Sequence, residues 1–389
     1  MAHKRRIRLC REGFYNLLVL IAIIAGATFR QLNLLILLGT VLAGPFVFSL
    51  LYGRFALRRV SVARELPQQL RADQRLAVDV VVTNQRRWWR IWSIGVEDRV
   101  AREDELDPNA PPTSVGVFYP AIAAGESKRC AYQGYLPRRG RYHFGPLLVS
   151  TRFPLGLVRH SVTIDNTQTL IVHPRIGNLT HDWSLVERQV AGGGQAVRRR
   201  GPTEAEYYGM RDWRPGDNRR WIHWRSTARR GSLVVRQFEE HRNRDLALLV
   251  DLWQPPEPTV EQVEYVETAI SFVATLIGEA CRQAGRRLFL SLAASTFLQR
   301  SGPTSPLFFQ QQMDELALVA PHQDEDFPTR LVQALSLVPS TIPTMLVSTR
   351  AIDWERVQST ASEYDVQLAG RHMQSVDVSD DEQTRYMHD

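Results

Sequence analysis

By its hydrophobic and polar positions, the chain falls into three successive regimes. Phe14 to Phe29 and Leu32 to Leu51 are two apolar runs, with Arg30, Gln31 and Asn33 at their junction. Each approaches the roughly 20 residues needed to cross hydrocarbon, so the pair predicts a transmembrane helical hairpin over residues 14–52. Lys4, Arg5, Arg6, Arg8 and Arg11 precede it, and Arg54, Arg58, Arg59 and Arg64 follow it, while the connecting turn holds a single arginine. By the positive-inside rule, the basic segment 1–13 and everything after the hairpin are expected on the cytoplasmic side of the cell (inner) membrane. A cleaved signal peptide would still leave the second run as an anchor, and two buried core helices are the competing reading.

From residue 60 to 178 the period shortens to that of strands. LAVDVVVTN (Leu76–Asn84), WRIWSIGVED (Trp89–Asp98), RYHFGPLLVS (Arg141–Ser150) and QTLIVHP (Gln168–Pro174) are separated by Pro, Gly and Asn clusters. This spacing predicts an antiparallel β-sandwich. From 245 to 375, strands and helices alternate. DLALLVDL (Asp245–Leu252) is a continuous apolar strand, a helix is expected over Val260–Gly285, and a strand over Arg286–Ala294. Helical segments near Leu307–Val319 and Pro328–Leu337, a strand at Thr344–Thr349, a helix from Trp354 and a strand at Tyr364–Gly370 complete the pattern. Alternation of this kind predicts an α/β doubly wound sheet, giving a membrane-anchored multidomain chain overall. Residues 376–389 are polar and expected to be a disordered tail.

Between the two folded regions, residues 190–244 form an Arg/Trp-rich stretch whose centre, Arg211–Gly231, reads RDWRPGDNRRWIHWRSTARRG. Pro215 and Gly216 break the chain, Asp217 stands where a helix N-cap belongs, and Gly231 is a natural stop. At helical spacing, Trp221, Trp224 and Ala228 share a face that asks for a core, and Arg219, His223 and Arg230 share the opposite one. Net charge sharpens the picture. The segment Arg198–Arg244 holds thirteen arginines against six acidic residues, an excess equal to the +7 of the whole chain. The basic surface is therefore local, and favours acidic partners. Upstream, the glycines Gly192–Gly194 read as a linker, because they lack the pattern of a phosphate-binding loop. Cys10, Cys130 and Cys281 are widely spaced and read as buried thiols rather than a disulfide framework.

The same residues carry a resemblance. Arg211, Trp213, Pro215, Gly216, Asp217, Arg220, Ile222, Trp224, Ala228 and Arg229, followed by Leu233, Val235, Arg236, Phe238 and Glu239, resemble the signature of the bacterial domain-of-unknown-function family numbered 58. Arg138–Tyr142 (RRGRY), Gly145-Pro146 and the turn Pro154, Leu155, Gly156, Leu157 also resemble that family, although Phe153 stands where it has an aspartate. The resemblance implies a von Willebrand factor type A-like C-terminal domain and association with MoxR-type AAA+ ATPases.

Type A domains often bind a cation through D-x-S-x-S at the end of their first strand, but this chain has Asp251-Leu252-Trp253-Gln254-Pro255. Trp253 and Pro255 replace both serines, so Asp251 is expected only as a remnant of a metal site, and no cofactor is expected. His223 with Asp251 is the residue pair a hydrolase reading would use, but no nucleophile motif or paired carboxylates accompany them. The interaction residues are taken to be Arg211, Arg214, Asp217, Arg219, Arg220, His223, Arg229 and Arg230, framed by Trp213, Pro215, Gly216, Trp221, Trp224 and Gly231. The leading expectation is a non-enzymatic interaction or assembly protein that binds the lipid bilayer through its hairpin and an acidic protein through its arginines. A nucleic-acid-binding membrane protein using the same Arg and Trp residues is the alternative.

Overall fold

The computed structural model describes residues 4–30, 33–105, 113–180, 206–215, 217–239, 245–282, 285–324, 326–340, 342–364, 366, 368, 371, 373–380 and 387–388. The glycine-rich linker 192–194 lies outside them. The chain divides into two compact units, residues 1–175 with 314–318, and residues 176–313 with 319–389.

The first unit opens with a strand inside the basic segment 1–13. β1 (Lys4–Leu9) pairs antiparallel with β10 (Val158–Ile164), from Lys4↔Thr163 to Leu9↔Val158. Two helices follow, α1 (Arg11–Arg30) and α2 (Asn33–Ala56), of 20 and 24 residues. At about 1.5 Å per residue each is long enough to span the ~30 Å of a hydrocarbon core. Their apolar side chains point outward: Leu18, Ile21, Ile24, Phe29, Leu34 and Leu37 are all exposed. That separates them from core helices, which would bury these residues.

The remaining strands of this unit are β2 (Val60–Glu65), β3 (Leu70–Arg71), β4 (Arg75–Asn84), β5 (Ile91–Arg102), β6 (Thr113–Ile122), β7 (Ser127–Tyr135), β8 (Gly140–Phe144), β9 (Leu147–Thr151) and β11 (Gln168–His173). β2, β4 and β7 form one sheet. The other runs β1-β10-β9-β5-β8-β11-β3, with β6 on the far edge of β5. β8 and β9 lie end to end along β5, parted at Gly145, whose φ of 101° is glycine's province and whose amide donates to Arg99 O at 2.8 Å. Alternate residues of both sheets meet in one core, including Val62, Val78, Val80 and Val82 from the first and Ile94, Val96, Phe144, Val149 and Val172 from the second. One buried ion pair ties the sheets together. Arg64 Nη1 lies 2.6 Å from Asp98 Oδ1, and the Tyr132 hydroxyl donates to Asp98 Oδ2 at 2.7 Å.

The second unit contains β12 (Asn178–Leu179), β13 (Glu206–Asp212), α3 (Trp224–Arg230), β14 (Val234–Glu239), β15 (Leu246–Asp251), α4 (Val260–Arg282), β16 (Arg287–Ala293), β17 (Leu298–Pro303), α5 (Pro306–Leu318), α6 (Phe327–Ser336), β18 (Thr344–Ser348), α7 (Trp354–Glu363), β19 (Met373–Asp377) and β20 (Met387–His388). Its main sheet has the order β17-β16-β15-β18-β19, with β16, β15, β18 and β19 parallel and β17 antiparallel at one edge. β15 is buried along nearly its whole length, as its unbroken apolar run requires.

The C-terminal end departs from expectation in two places. Val366 and Leu368, read as a strand, instead pack as loop residues on the core around Leu249, Leu335 and Val357, and the edge strand is β19. Within the expected disordered tail, Val376 and Val378 are buried, and Met387–His388 pair with β12.

Candidate functional site

β13 and β14 pair antiparallel from Glu206↔Glu239 to Asp212↔Val234, and the Arg/Trp-rich signature is the excursion that joins them. It is not one helix. A 3-10 turn spans Arg219–Trp221, capped by Asn218, whose side chain accepts from Arg220 N at 3.1 Å. Ile222 is then extended and bridges to Val235, while His223 N donates to Val234 O at 2.8 Å. Pairing with β14 thus interrupts the helical period before α3 begins. His223 is the N-cap of α3: its Nδ1 accepts from Ser226 N at 3.3 Å and lies 2.8 Å from Ser226 Oγ. Gly231 ends the helix at φ 72°, the left-handed stop its position suggested.

Asp217 is therefore not the helix cap. Its Oδ2 accepts from Arg211 Nη1 at 2.7 Å and from Arg214 N at 2.8 Å, and its Oδ1 accepts from Arg211 Nη2 at 2.8 Å. The fork-on-carboxylate pair fixes the turn at Pro215 to the end of β13. Arg211 holds the Asp217 carboxyl below its ordinary 3.8, the Arg214 amide adds to this, and the Arg211 guanidinium is raised in return. Gly216 lies outside the described residues.

Trp224 is 67% exposed rather than buried, and Ala228 is exposed with it. α3 meets β14 through Thr227 instead, whose Oγ1 accepts from Val234 N at 3.1 Å, so the side expected to seek a core faces away. Trp213 and Trp221 are half-buried. Arg214, Arg219, Arg220, Arg225, Arg229 and Arg230 are exposed, and Arg219, Arg220, Arg229 and Arg230 have no ion-pair partner among the described residues. Of the expected interaction residues, Arg211, Asp217 and His223 are committed to holding the excursion in shape. The others face solvent.

A second cluster sits at the carboxyl ends of the parallel strands. The chain leaves β15 for β16 on one side and reaches β18 on the other, which makes the end of β15 the topological switch point where α/β sheets usually bind ligands. Asp251 lies there, fully buried. Its Oδ1 accepts from His322 Nε2 at 2.7 Å, and its Oδ2 accepts from Arg350 Nε at 3.1 Å, with the Ser348 hydroxyl 3.3 Å away. His322 Nδ1 accepts from Asp324 N at 3.2 Å, which assigns the ring proton to Nε2. The Arg350 guanidinium lies over the Trp253 ring, 5.0 Å from its centroid.

The carboxylate that sequence left isolated thus has its charge balanced within the chain, by a guanidinium shelved on the tryptophan that replaced a serine. Among the described residues no hydrogen bond or ion pair joins Asp251 to His223, each being bonded to its own neighbours. His322, Ser348 and Arg350 were missed at the sequence level. For Ser348 and Arg350 the local trace is the polar Ser-Thr-Arg at the end of the apolar strand β18, and for His322 there is none.

Residues 209–335 match the family model described as Protein of unknown function DUF58. Over 211 residues the chain is 25% identical to the Uncharacterized protein YeaD of Bacillus subtilis (strain 168), a stretch covering 53% of this chain and 52% of that protein. The chain spans about half the length of the curated relative it matches. Among solved structures it is similar to the C-terminal domain of wzt, at 11% identity and a TM-score of 0.23, covering 30% of this chain and 75% of that one. It is also similar to the CARDB domain of PF1109 from Pyrococcus furiosus, at 12% identity and a TM-score of 0.18, covering 27% and 94%. Scores of that size establish no common fold. The family match begins within β13, takes in the Arg211–Gly231 excursion and runs through Asp251 to α6, so this part of the chain is similar to the DUF58 family.

Proposed function

We propose that this chain is a membrane-anchored, non-enzymatic interaction protein whose arginine-bearing excursion docks an acidic protein partner. One observation carries the reading: Arg219, Arg220, Arg229, Arg230 and Trp224 stand exposed on a short frame pinned by the Arg211–Asp217 pair. Preorganised guanidiniums beside an exposed indole are the residue types that dominate protein interfaces. The lack of catalysis is supported by the way His223 and Asp251 are consumed by local partners. A type A-like C-terminal domain is supported by the β17-β16-β15-β18-β19 order, and a MoxR-type AAA+ ATPase is the partner that the family resemblance supplies.

The anchor is α1 with α2, crossing the bilayer twice. Both ends of the hairpin return to the same folded unit, β1 to β10 and β2 to β4, so both leave the membrane on one side. The flanking Lys4, Arg5, Arg6, Arg8, Arg11, Arg54, Arg58 and Arg59 put that side in the cytoplasm.

Cross-linking with mass spectrometry in native membranes tests the proposal. The full chain should cross-link to an acidic protein, an AAA+ ATPase of MoxR type, and the variant R219E/R220E/R229E/R230E should lose those links at unchanged melting temperature. An identical set of cross-links in the variant would remove the arginines from the interface and the reading with them.

A further inference from the structure

The loop between β4 and β5, Gln85–Arg90, reads QRRWWR and plays no part in either cluster described above. Trp88 and Trp89 are 80% and 74% exposed, and Arg87 and Arg90 are exposed beside them. Indoles usually contribute by burying ring area with the N–H kept near a polar partner, and in water these two leave most of that area unburied. Their surroundings point to what covers them.

The loop is fastened to the end of α2. Gln85 N donates to Arg59 O at 3.0 Å, and Arg86 donates to Arg58 O through Nε at 3.2 Å and Nη2 at 3.1 Å. Asn84 Nδ2 donates to Trp89 O at 2.9 Å and holds the other end. Just beyond the loop, an aromatic ladder continues into the helix itself. Trp92 stacks on Phe153 at 6.1 Å, Phe153 meets Tyr52 at 4.9 Å, and Tyr52 stacks on Phe48, one turn earlier in α2, at 5.8 Å. The Tyr52 hydroxyl accepts from Trp92 N at 3.1 Å. The two exposed indoles, with the Arg87 guanidinium 5.7 Å from the centroid of the Trp88 ring, are thereby held level with the last turn of a helix long enough to cross a bilayer.

We propose that Arg87, Trp88, Trp89 and Arg90 form a lipid-interface clamp, seated among the anionic headgroups of the leaflet from which α2 emerges. Tryptophan settles at the boundary between headgroups and acyl chains, with its ring toward the hydrocarbon and its N–H toward water. Arginine pairs with the phosphates of the same layer. Seated in this way, the loop gives the sandwich a third attachment to the leaflet beside the two helices. The clamp rests on the reading of α1 and α2 as membrane-spanning.

The test reconstitutes the full chain into phosphatidylcholine bilayers with and without phosphatidylglycerol, with lipids brominated at shallow acyl positions, and reads quenching of tryptophan fluorescence. Wild type should be quenched, more strongly with phosphatidylglycerol, and W88F/W89F should lose most of that quenching. R87E/R90E should abolish the gain due to phosphatidylglycerol. Insertion of the hairpin is read separately, from the protection of Leu37→Cys, in a chain with its native cysteines replaced by serine, against a water-soluble thiol reagent. A protected Leu37→Cys with equal quenching of wild type and W88F/W89F overturns the clamp alone, and points to a protein over the two indoles. A reactive Leu37→Cys overturns the membrane reading and the clamp together. Quenching indifferent to phosphatidylglycerol overturns the anionic assignment.

Discussion

Arg350 reaches across the carboxyl ends of two neighbouring parallel strands to place its Nε 3.1 Å from Asp251 Oδ2. The carboxylate is fully buried and the guanidinium is mostly so, at 21% exposure. Removing one member of such a pair strands a charge away from water. We expect Arg350→Met to cost about 3 kcal/mol, the lower end of the range for breaking a buried pair, because His322 and Ser348 still face the carboxylate. Adding Asp251→Asn should recover part of that loss, since no charge then remains to be stranded. Urea denaturation of the full chain in detergent measures both. A loss from Arg350→Met below about 0.5 kcal/mol, the size of an ordinary surface change, would show that the pair contributes nothing.

The Arg211–Asp217 pair makes a prediction in pH rather than in temperature. Its folded-state carboxyl pKa lies below the ordinary 3.8. The stability it contributes is therefore fully present above that value and is lost as pH falls through the depressed folded pKa. Between neutral pH and the ordinary value, the excursion should not change. Carboxyl NMR should show Asp217 titrating below 3.8, and Arg211→Met should bring it back up. An Asp217 that titrates at or above 3.8 in the wild type would mean that the bidentate pair does not persist in solution.

What local sequence could and could not show follows from how far apart the interacting groups lie. β15 was legible because a strand covered on both faces is apolar throughout, and α1 and α2 because their runs have the length of a bilayer. The excursion was misread for a physical reason. Trp221, Trp224 and Ala228 do keep helical spacing, but Val234 and Val235 capture the backbone of Ile222 and His223, and strand pairing outweighs a seven-residue helix. β1 was missed because its lysine and arginines read as a tail, although Arg6, Ile7, Arg8 and Leu9 alternate as a strand does. His322 and Arg350 lie 71 and 99 residues from Asp251, and no local pattern announces contacts at that separation.

Trp224 separates the two readings of the excursion by magnitude. A buried tryptophan cut to alanine costs about 3–5 kcal/mol, whereas an exposed residue of a short helix should cost no more than about 0.5 kcal/mol. With Trp224 at 67% exposure, the smaller figure is expected, beside about 2–5 kcal/mol for Leu248→Ala at a fully buried position of β15. If Trp224→Ala instead melts the chain as Leu248→Ala does, the indole is buried in solution and the docking surface loses its aromatic member. Under the proposed function, Trp224→Ala keeps its fold and loses partner cross-links.

The joint between hairpin and sandwich rests on two glycines. A Cβ at Gly53 would overlap the His160 ring, and a Cβ at Gly13 would overlap the carbonyl oxygen of Leu157, whose place is fixed by a 3.0 Å bond from Cys10 N. Gly53→Ala should cost about 1–3 kcal/mol as overpacking, and His160→Ala in the same chain should return much of it, because a side chain can be cut back. Gly13→Ala has no such remedy, because its obstacle is backbone, and we expect the larger fall in melting temperature. Gly44→Ala is the control, since an added Cβ there meets nothing within 4 Å. Burial holds the His160 imidazole below 6.5, and Arg54 pushes the same way. The contribution of the joint is therefore full above 6.5 and weakens as pH falls from there toward the folded pKa, a slope that His160→Ala should flatten. Melting curves in detergent across that interval decide the matter: equal melting temperatures for Gly53→Ala and Gly44→Ala would mean that the helix does not seat against β10.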